Sequence, residues 1–215
     1  MNIIPPQLPG NFALVNDFRS YSQDMEDSPI LQIKSRGERI ERTDFSNIEV
    51  QESLFKSCTF YHCDFENSSF IDVIFESCDF SNSSFAEAYF ERCLFVSCKC
   101  VGVDLREVII KNTTFKHSNF QYSNFDKAKM TDVFLDHADF TESSLSNMRL
   151  KRFQAENSKF LKTNFFKTML ATVDFTKNEF VSPIVSTPPD ELRGAVVNMF
   201  QASDLISLWG VIVNQ

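Results

Sequence analysis

Apolar side chains recur along this chain at every fifth residue. Between residues 45 and 180 the multiples of five give 28 positions, and none carries a charged or strongly polar side chain. Phe occupies 45, every fifth position from 55 to 95, and 115, 120, 125, 140, 160, 165, 175 and 180. The rest are Val50, Cys100, Leu105, Ile110, Met130, Leu135, Leu145, Leu150, Ala155 and Leu170. Two residues before each runs a second column of small or β-branched side chains, among them Cys58, Cys63, Ser68, Val73, Cys78, Ser83 and Ala88. A period of five matches neither the 3.6 of a helix nor the 2 of a strand. It predicts an internal repeat, in which each pentad gives one short extended pass and one corner and buries its side chains only against stacked neighbours.

Segments such as Cys63-Asp64-Phe65-Glu66-Asn67, Cys78-Asp79-Phe80-Ser81-Asn82 and Ala138-Asp139-Phe140-Thr141-Glu142 show the unit openly: small, Asp, Phe, then two polar residues. This pattern resembles the pentapeptide-repeat family, over roughly two-thirds of the chain. The resemblance implies an all-β fold, a right-handed quadrilateral parallel β-helix with four pentads per coil, so that residues twenty apart stack. Twenty-eight pentads then make about seven coils, and at the inter-strand spacing of about 4.8 Å the rod is roughly 34 Å long. The expected organisation is an N-terminal cap over residues 1–40, the repeat array over 41–185 and a C-terminal capping and dimerisation segment over 186–215.

The ends depart from the period. In 1–40, Ser35 and Glu38 break the phase, Pro5, Pro6, Pro9 and Gly10 keep the start irregular, and Phe12, Leu14, Val15 and Phe18 form an apolar cluster needing a surface. Asn198-Met199-Phe200-Gln201 reads as a capping box opening a short C-terminal α-helix that runs to about Trp209 and stops at Gly210. Within the array, Phe153 and Ala155 reverse the small-then-large order, which reads as local repacking that conserves volume.

Outward positions supply the candidate surfaces. Leu54, Ile74, Leu94 and Phe134 fall in one row, an apolar stripe that either docks the Phe12–Phe18 cluster or binds a partner protein. Residues 45–110 are net acidic and 111–180 mildly basic, and the formal net charge of the chain is −8. That balance, with no concentrated basic patch, argues against direct nucleic-acid binding. His62, His117 and His137 occupy exposed corners; His117 and His137 should stack, but two imidazoles without a nearby carboxylate or thiolate make a weak metal site, and they read as solvated corners. Cysteines in the repeat phase read as small buried hydrophobes, with Cys58, Cys78 and Cys98 on one face. No nucleophile–base set can be named, so the expectation is a non-enzymatic protein without cofactor or metal. No apolar run is long enough to cross a membrane, and the start lacks a secretory layout, which places the protein in the cytoplasm.

The tail, from Gly194-Ala195-Val196-Val197-Asn198-Met199-Phe200-Gln201-Ala202 through Leu208-Trp209-Gly210-Val211-Ile212-Val213, resembles the C-terminal segment of the Qnr-type quinolone-resistance subfamily. That resemblance implies a homodimer joined through Phe200, Leu205, Leu208, Trp209 and Val211. It also implies a DNA mimic that binds DNA gyrase or topoisomerase IV and protects it from quinolones. The acidic surface for that role would be carried by Asp64, Asp79, Glu87, Glu91 and Asp104. The alternative is a scaffold that uses the apolar stripe.

Overall fold

A computed structural model describes residues 3–25 and 28–212. The chain winds into a parallel β-solenoid of about eight turns. Residues twenty apart pair in register on every face, as in Phe55 with Phe75, Phe70 with Phe90 and Phe160 with Phe180. We name the four faces after Phe55, Phe60, Phe65 and Phe70. Of the 28 central side chains, Leu150 alone is not fully buried. The rings stack down the axis and meet edge-to-face across it: Phe60 lies 5.3 Å above Phe80 at 5°, while Phe75 meets Phe80 at 88°. Both are favoured aromatic geometries.

The Ser, Thr and Cys side chains of the second column bond to backbone inside the wall. Ser83 Oγ donates to the Phe60 carbonyl (2.6 Å) and Cys98 Sγ to that of Phe75 (3.2 Å), while Ser118 Oγ accepts the Cys98 N–H (3.1 Å). The residue before the central position sets the form of the pentad. Where it is Asp or Asn, its side chain accepts an N–H two residues on, as Asp64 does from Glu66 (2.9 Å) and Asn119 from Gln121 (2.9 Å), and the pentad becomes a turn. Leu54, Ile74 and Leu94 make no such bond, and their pentads are strands Leu54–Lys56, Ile74–Glu76 and Leu94–Val96. Corner residues take positive φ almost throughout, including Asn67 (55°), His117 (50°) and Asn147 (54°). Gly102 (67°) is needed at its corner for a second reason: a Cβ there would lie 2.8 Å from Asn82 Oδ1.

The register begins earlier than the sequence suggested. Ile30, Ser35 and Ile40 all point inward, which accounts for eight coils in place of seven. Ser35 is tolerated in the core because its hydroxyl bonds to the Glu38 carboxylate, and that carboxylate also accepts the Phe18 N–H (2.7 Å). Phe18 opens a helix, α1 (Phe18–Met25), which the period-five pattern did not indicate. Its ring lies on the axis, 5.0 Å from Phe55 and 5.3 Å from Phe45. The strand Ala13–Val15 pairs with Ile33–Ser35 and extends the Phe55 face by one row.

Among the described residues the wall parts between 149–156 and 169–176. No backbone hydrogen bond joins 149–156 to 169–176, although bonds resume at Asn157 N–H to the Lys177 carbonyl (3.0 Å). The strand Arg149–Glu156 pairs only with Lys129–Asp136 above it. Its free edge borders a cleft of about 590 Å³ lined by Leu150, Phe153, Ala155, Met169, Ala171 and Val173, among others. The reversed pair Phe153 and Ala155, both buried as the repacking reading expects, thus lies at a break in the solenoid. Below the cleft the coil is held by the C-terminal segment instead: the N–H groups of Leu170, Thr172 and Phe175 donate to the carbonyls of Glu191, Gly194 and Val196.

Candidate functional surfaces

The C-terminal segment is built to close the rod. Asn198 caps the helix α2 (Met199–Leu205) in a full capping box with Gln201, followed by a 3-10 turn to Trp209 and a left-handed Gly210. Gln201 is turned into the end of the barrel, where its amide donates to the carbonyls of Phe175 and Asn178, both at 2.8 Å. Leu205, expected at a dimer interface, is 6% exposed and belongs to the core instead. It has to be, since the open end exposes Phe175 and Phe180 unless an apolar side chain covers them. Leu208 is half-buried against the same core. Phe200, Trp209 and Val211 face out, Phe200 at 80% exposure. Met199 (77%) and Ile212 (87%) join them and were absent from the expected set; Val213 lies outside the described residues. Between α2 and the last coil runs an apolar groove of about 230 Å³ lined by Leu192, Ala195, Val197, Ala202, Leu205, Ile206 and Trp209.

The apolar stripe forms a true row. Leu54, Ile74, Leu94, Thr114 and Phe134 are successive neighbours on the Phe55 face, all half-buried, with Lys34 and Leu14 continuing it toward the N-terminus. The Phe12–Phe18 cluster does not lie across it: Val15 and Phe18 go to the end of the rod and Leu14 faces solvent. The residues before it do run alongside, since the Gln7 N–H donates to Asp72 Oδ1 (2.9 Å) at the corner next to Ile74. Arg92 grips the same carboxylate with two bonds, Nε to Oδ1 at 2.8 Å and Nη2 to Oδ2 at 2.7 Å. Burial pushes the Asp72 carboxyl up, but Arg92 and the Gln7 N–H outweigh it and hold it below the usual range.

The five acidic residues do not make one surface. Asp79 lies on the Phe60 face, paired with Lys99 (3.1 Å), and Glu91 on the Phe70 face, paired with Arg92 (2.9 Å). Asp64, Glu87 and Asp104 belong to the Phe65 face, where Asp44, Glu66, Glu107 and Asp126 add to them; Asp104 is paired with Arg106 (2.6 Å). Asp44 and Asp64 are bridge partners one coil apart and have no cation within salt-bridge distance among the described residues. The positive charge is equally localised: Lys129 and Arg149 pair directly on the Phe70 face, beside Lys151.

The histidine pair has the carboxylate that the sequence reading denied it. Asp136 Oδ1 lies 2.6 Å from His137 Nδ1, and one donor atom from each of His117, Asp136 and His137 falls within 4.8 Å of the others. The signal was the Asp136-His137 dipeptide, with a histidine twenty residues upstream. All six cysteines are free and buried, and burial lifts the Cys93 thiol to about 12.

A solenoid of in-phase pentads with four faces defines a class of protein. A family model described as a pentapeptide repeat region matches residues 68–136, and over that stretch the chain carries the pentapeptide repeat. In fold it resembles QnrB1, a plasmid-mediated fluoroquinolone resistance protein: a trypsin-treated form is 20% identical with a TM-score of 0.52, covering 87% of this chain and 100% of that one. Full-length QnrB1 is 16% identical (TM-score 0.40; 83% and 100% covered). HetL, a pentapeptide-repeat protein involved in heterocyst differentiation regulation in the cyanobacterium Nostoc, is 12% identical (TM-score 0.41; 85% and 97% covered). No curated protein sequence matches the chain. Among the described residues, no helix is long and apolar enough to cross a membrane.

Proposed function

We propose that this protein is a non-enzymatic binding rod that works as a homodimer in the cytoplasm, joined end to end through its C-terminal segment. The observation that carries the reading is the apolar surface at that end. Met199, Phe200, Trp209, Val211 and Ile212 are all exposed, and Trp209 lines a groove of about 230 Å³. Exposed aromatic and aliphatic side chains clustered beside a pocket suit a self-complementary contact across a two-fold axis, where each copy supplies both knob and groove. In this reading residues 1–40 cap one end, 41–185 form the rod and 186–215 form the joint. Light scattering tests it: wild type has twice the chain mass, and Phe200→Asp with Trp209→Ala has the monomer mass at an unchanged circular dichroism spectrum. A monomeric wild type at micromolar concentration removes the proposal.

A second reading concerns what the rod binds. The Phe65 face carries Asp44, Asp64, Glu66, Glu87 and Asp104 along its upper half, and an acidic face on a straight rod suits a protein whose own site is made for a polyanion. With the likeness of the tail to the Qnr type, this supports DNA gyrase or topoisomerase IV as the partner, protected from quinolones by a DNA mimic. In a supercoiling assay the purified protein then restores activity under quinolone, and Asp44→Lys with Asp64→Lys abolishes the effect. Unchanged supercoiling at excess protein, with and without drug, leaves the apolar row Leu54, Ile74, Leu94 and Phe134 as the surface to test with Leu54→Asp and Ile74→Asp.

A further inference from the structure

We propose that His117, Asp136 and His137 form a binding site for a divalent transition metal of the zinc class, a site that staples two adjacent coils. His117 and His137 occupy equivalent corners one coil apart, with ring centroids 4.7 Å apart and planes tilted by 39°. Asp136 Oδ1 lies 2.6 Å from His137 Nδ1, and one donor atom from each of the three residues lies within 4.8 Å of the others. Two imidazole nitrogens and one carboxylate oxygen are a donor set of borderline softness, suited to Zn²⁺ or Co²⁺ and poorly suited to Mg²⁺ or Ca²⁺. Around a tetrahedral ion with bonds of about 2.0–2.2 Å, ligand atoms sit about 3.3–3.6 Å apart. Closing from the present spacing takes small rotations of side chains that are exposed or half-exposed.

The backbone beneath the three side chains is already fixed. The His117 N–H donates to the Asp136 carbonyl (2.8 Å) and the His137 N–H to the Glu156 carbonyl (3.0 Å), so both corners are clamped by inter-coil bonds. Left-handed φ values of 50° and 53° at the two histidines throw both rings outward from the same edge. Lys116 Nζ is 3.5 Å from Asp136 Oδ2 with its side chain about half exposed, so it can yield its place to an ion. Three protein ligands leave a fourth position for water or for a donor from another molecule.

The probes are Zn²⁺ and Co²⁺ added to the full-length protein. Co²⁺ is expected to give visible d–d absorption bands, and Zn²⁺ to bind with one equivalent per chain by calorimetry and to raise Tm with concentration, as any ligand of the folded state does. His117→Asn and His137→Asn keep a residue that tolerates the left-handed corner, and each is expected to weaken Zn²⁺ binding at least tenfold. His62→Asn, at a separate corner, leaves it unchanged. Equal Zn²⁺ affinity in wild type and both corner variants overturns the proposal. So does a wild type whose Tm and Co²⁺ spectrum do not respond to the metals.

Discussion

Ala155 lies directly below Leu135 on the Phe55 face, and beneath Ala155 the coils come apart. A methyl group occupies a central site where a large side chain would reach the next coil, while Phe153, at the small site, lines the opening. The next coil pairs downward with Glu191, Gly194 and Val196, which draws it away from the strand above. Backbone groups on the free edge of Arg149–Glu156 therefore meet solvent in the cleft. Hydrogen exchange reads this directly, because protection follows local hydrogen bonding. The amides of Leu150, Arg152 and Ala155 are expected to exchange at least tenfold faster than those of Met130, Asp132 and Leu135, one coil above. Equal protection in the two coils means the wall is closed in solution.

The axial column predicts a sharp contrast between neighbours in sequence. Phe75 is fully buried, with Phe55, Phe70, Phe80 and Phe95 around it at 4.8–5.7 Å. Phe75→Ala removes a ring from the middle of that stack and should cost about 3–5 kcal/mol. Glu76, next along the chain, faces outward and holds Lys56 at 2.6 Å in a partly exposed ion pair. Glu76→Ala should cost under about 1 kcal/mol. Denaturant melts of the two variants check the phase; similar losses would falsify it.

The period-five column was legible because burial on a narrow axis leaves each central position one choice, a large apolar side chain. What escaped the reading was decided by side chains serving the ends. Ser35 and Glu38 look like breaks in phase, yet they are the polar pair that receives Phe18 at the top of the rod. Leu205 and Phe200 belong to the same apolar helix, and no pattern in seven residues tells which one faces the barrel; the Gln201 bonds to Phe175 and Asn178 fix that rotation. The acidic residues misled for another reason. Asp64, Asp79 and Asp104 each accept an N–H two residues on, so their presence is already explained by the turn they make.

Asp72 couples the N-terminal arm to the corner next to Ile74 on the Phe55 face. Removing the carboxylate in Asp72→Ala leaves Arg92 with Glu91 as its one remaining carboxylate partner and frees the Gln7 N–H. The expected cost is about 2–3 kcal/mol, below the 3–5 of a fully buried pair because Arg92 is a quarter exposed. Gln7 should lose its exchange protection in the same variant while Phe75 keeps its own. Acid should act likewise. The folded carboxyl is held below its usual range, so its contribution is present above about pH 4 and is lost as the pH falls through the lowered value. An arm whose Gln7 amide exchanges at the same rate in wild type and Asp72→Ala is not held by this bond.

At the alkaline end the buried thiols set the slope. Cys93 Sγ donates to the Phe70 carbonyl (3.2 Å), and burial raises its pKa from 9.0 to about 12. Between those two values the folded thiol keeps its proton while the unfolded chain gives its proton up. The unfolded state then binds fewer protons, so stability falls as pH rises, by roughly 1.4 kcal/mol per pH unit for this one group. Cys93→Ser keeps a donor of the kind that Ser68 and Ser83 provide in the same column, and it does not titrate in this range. Urea melts from pH 8 to 11 should therefore show a shallower decline for Cys93→Ser than for wild type, the curves diverging above pH 9. Lysines and tyrosines titrate in both proteins and cancel in the difference. Parallel curves would mean that the thiol ionises in place, and that the wall around Cys93 admits water.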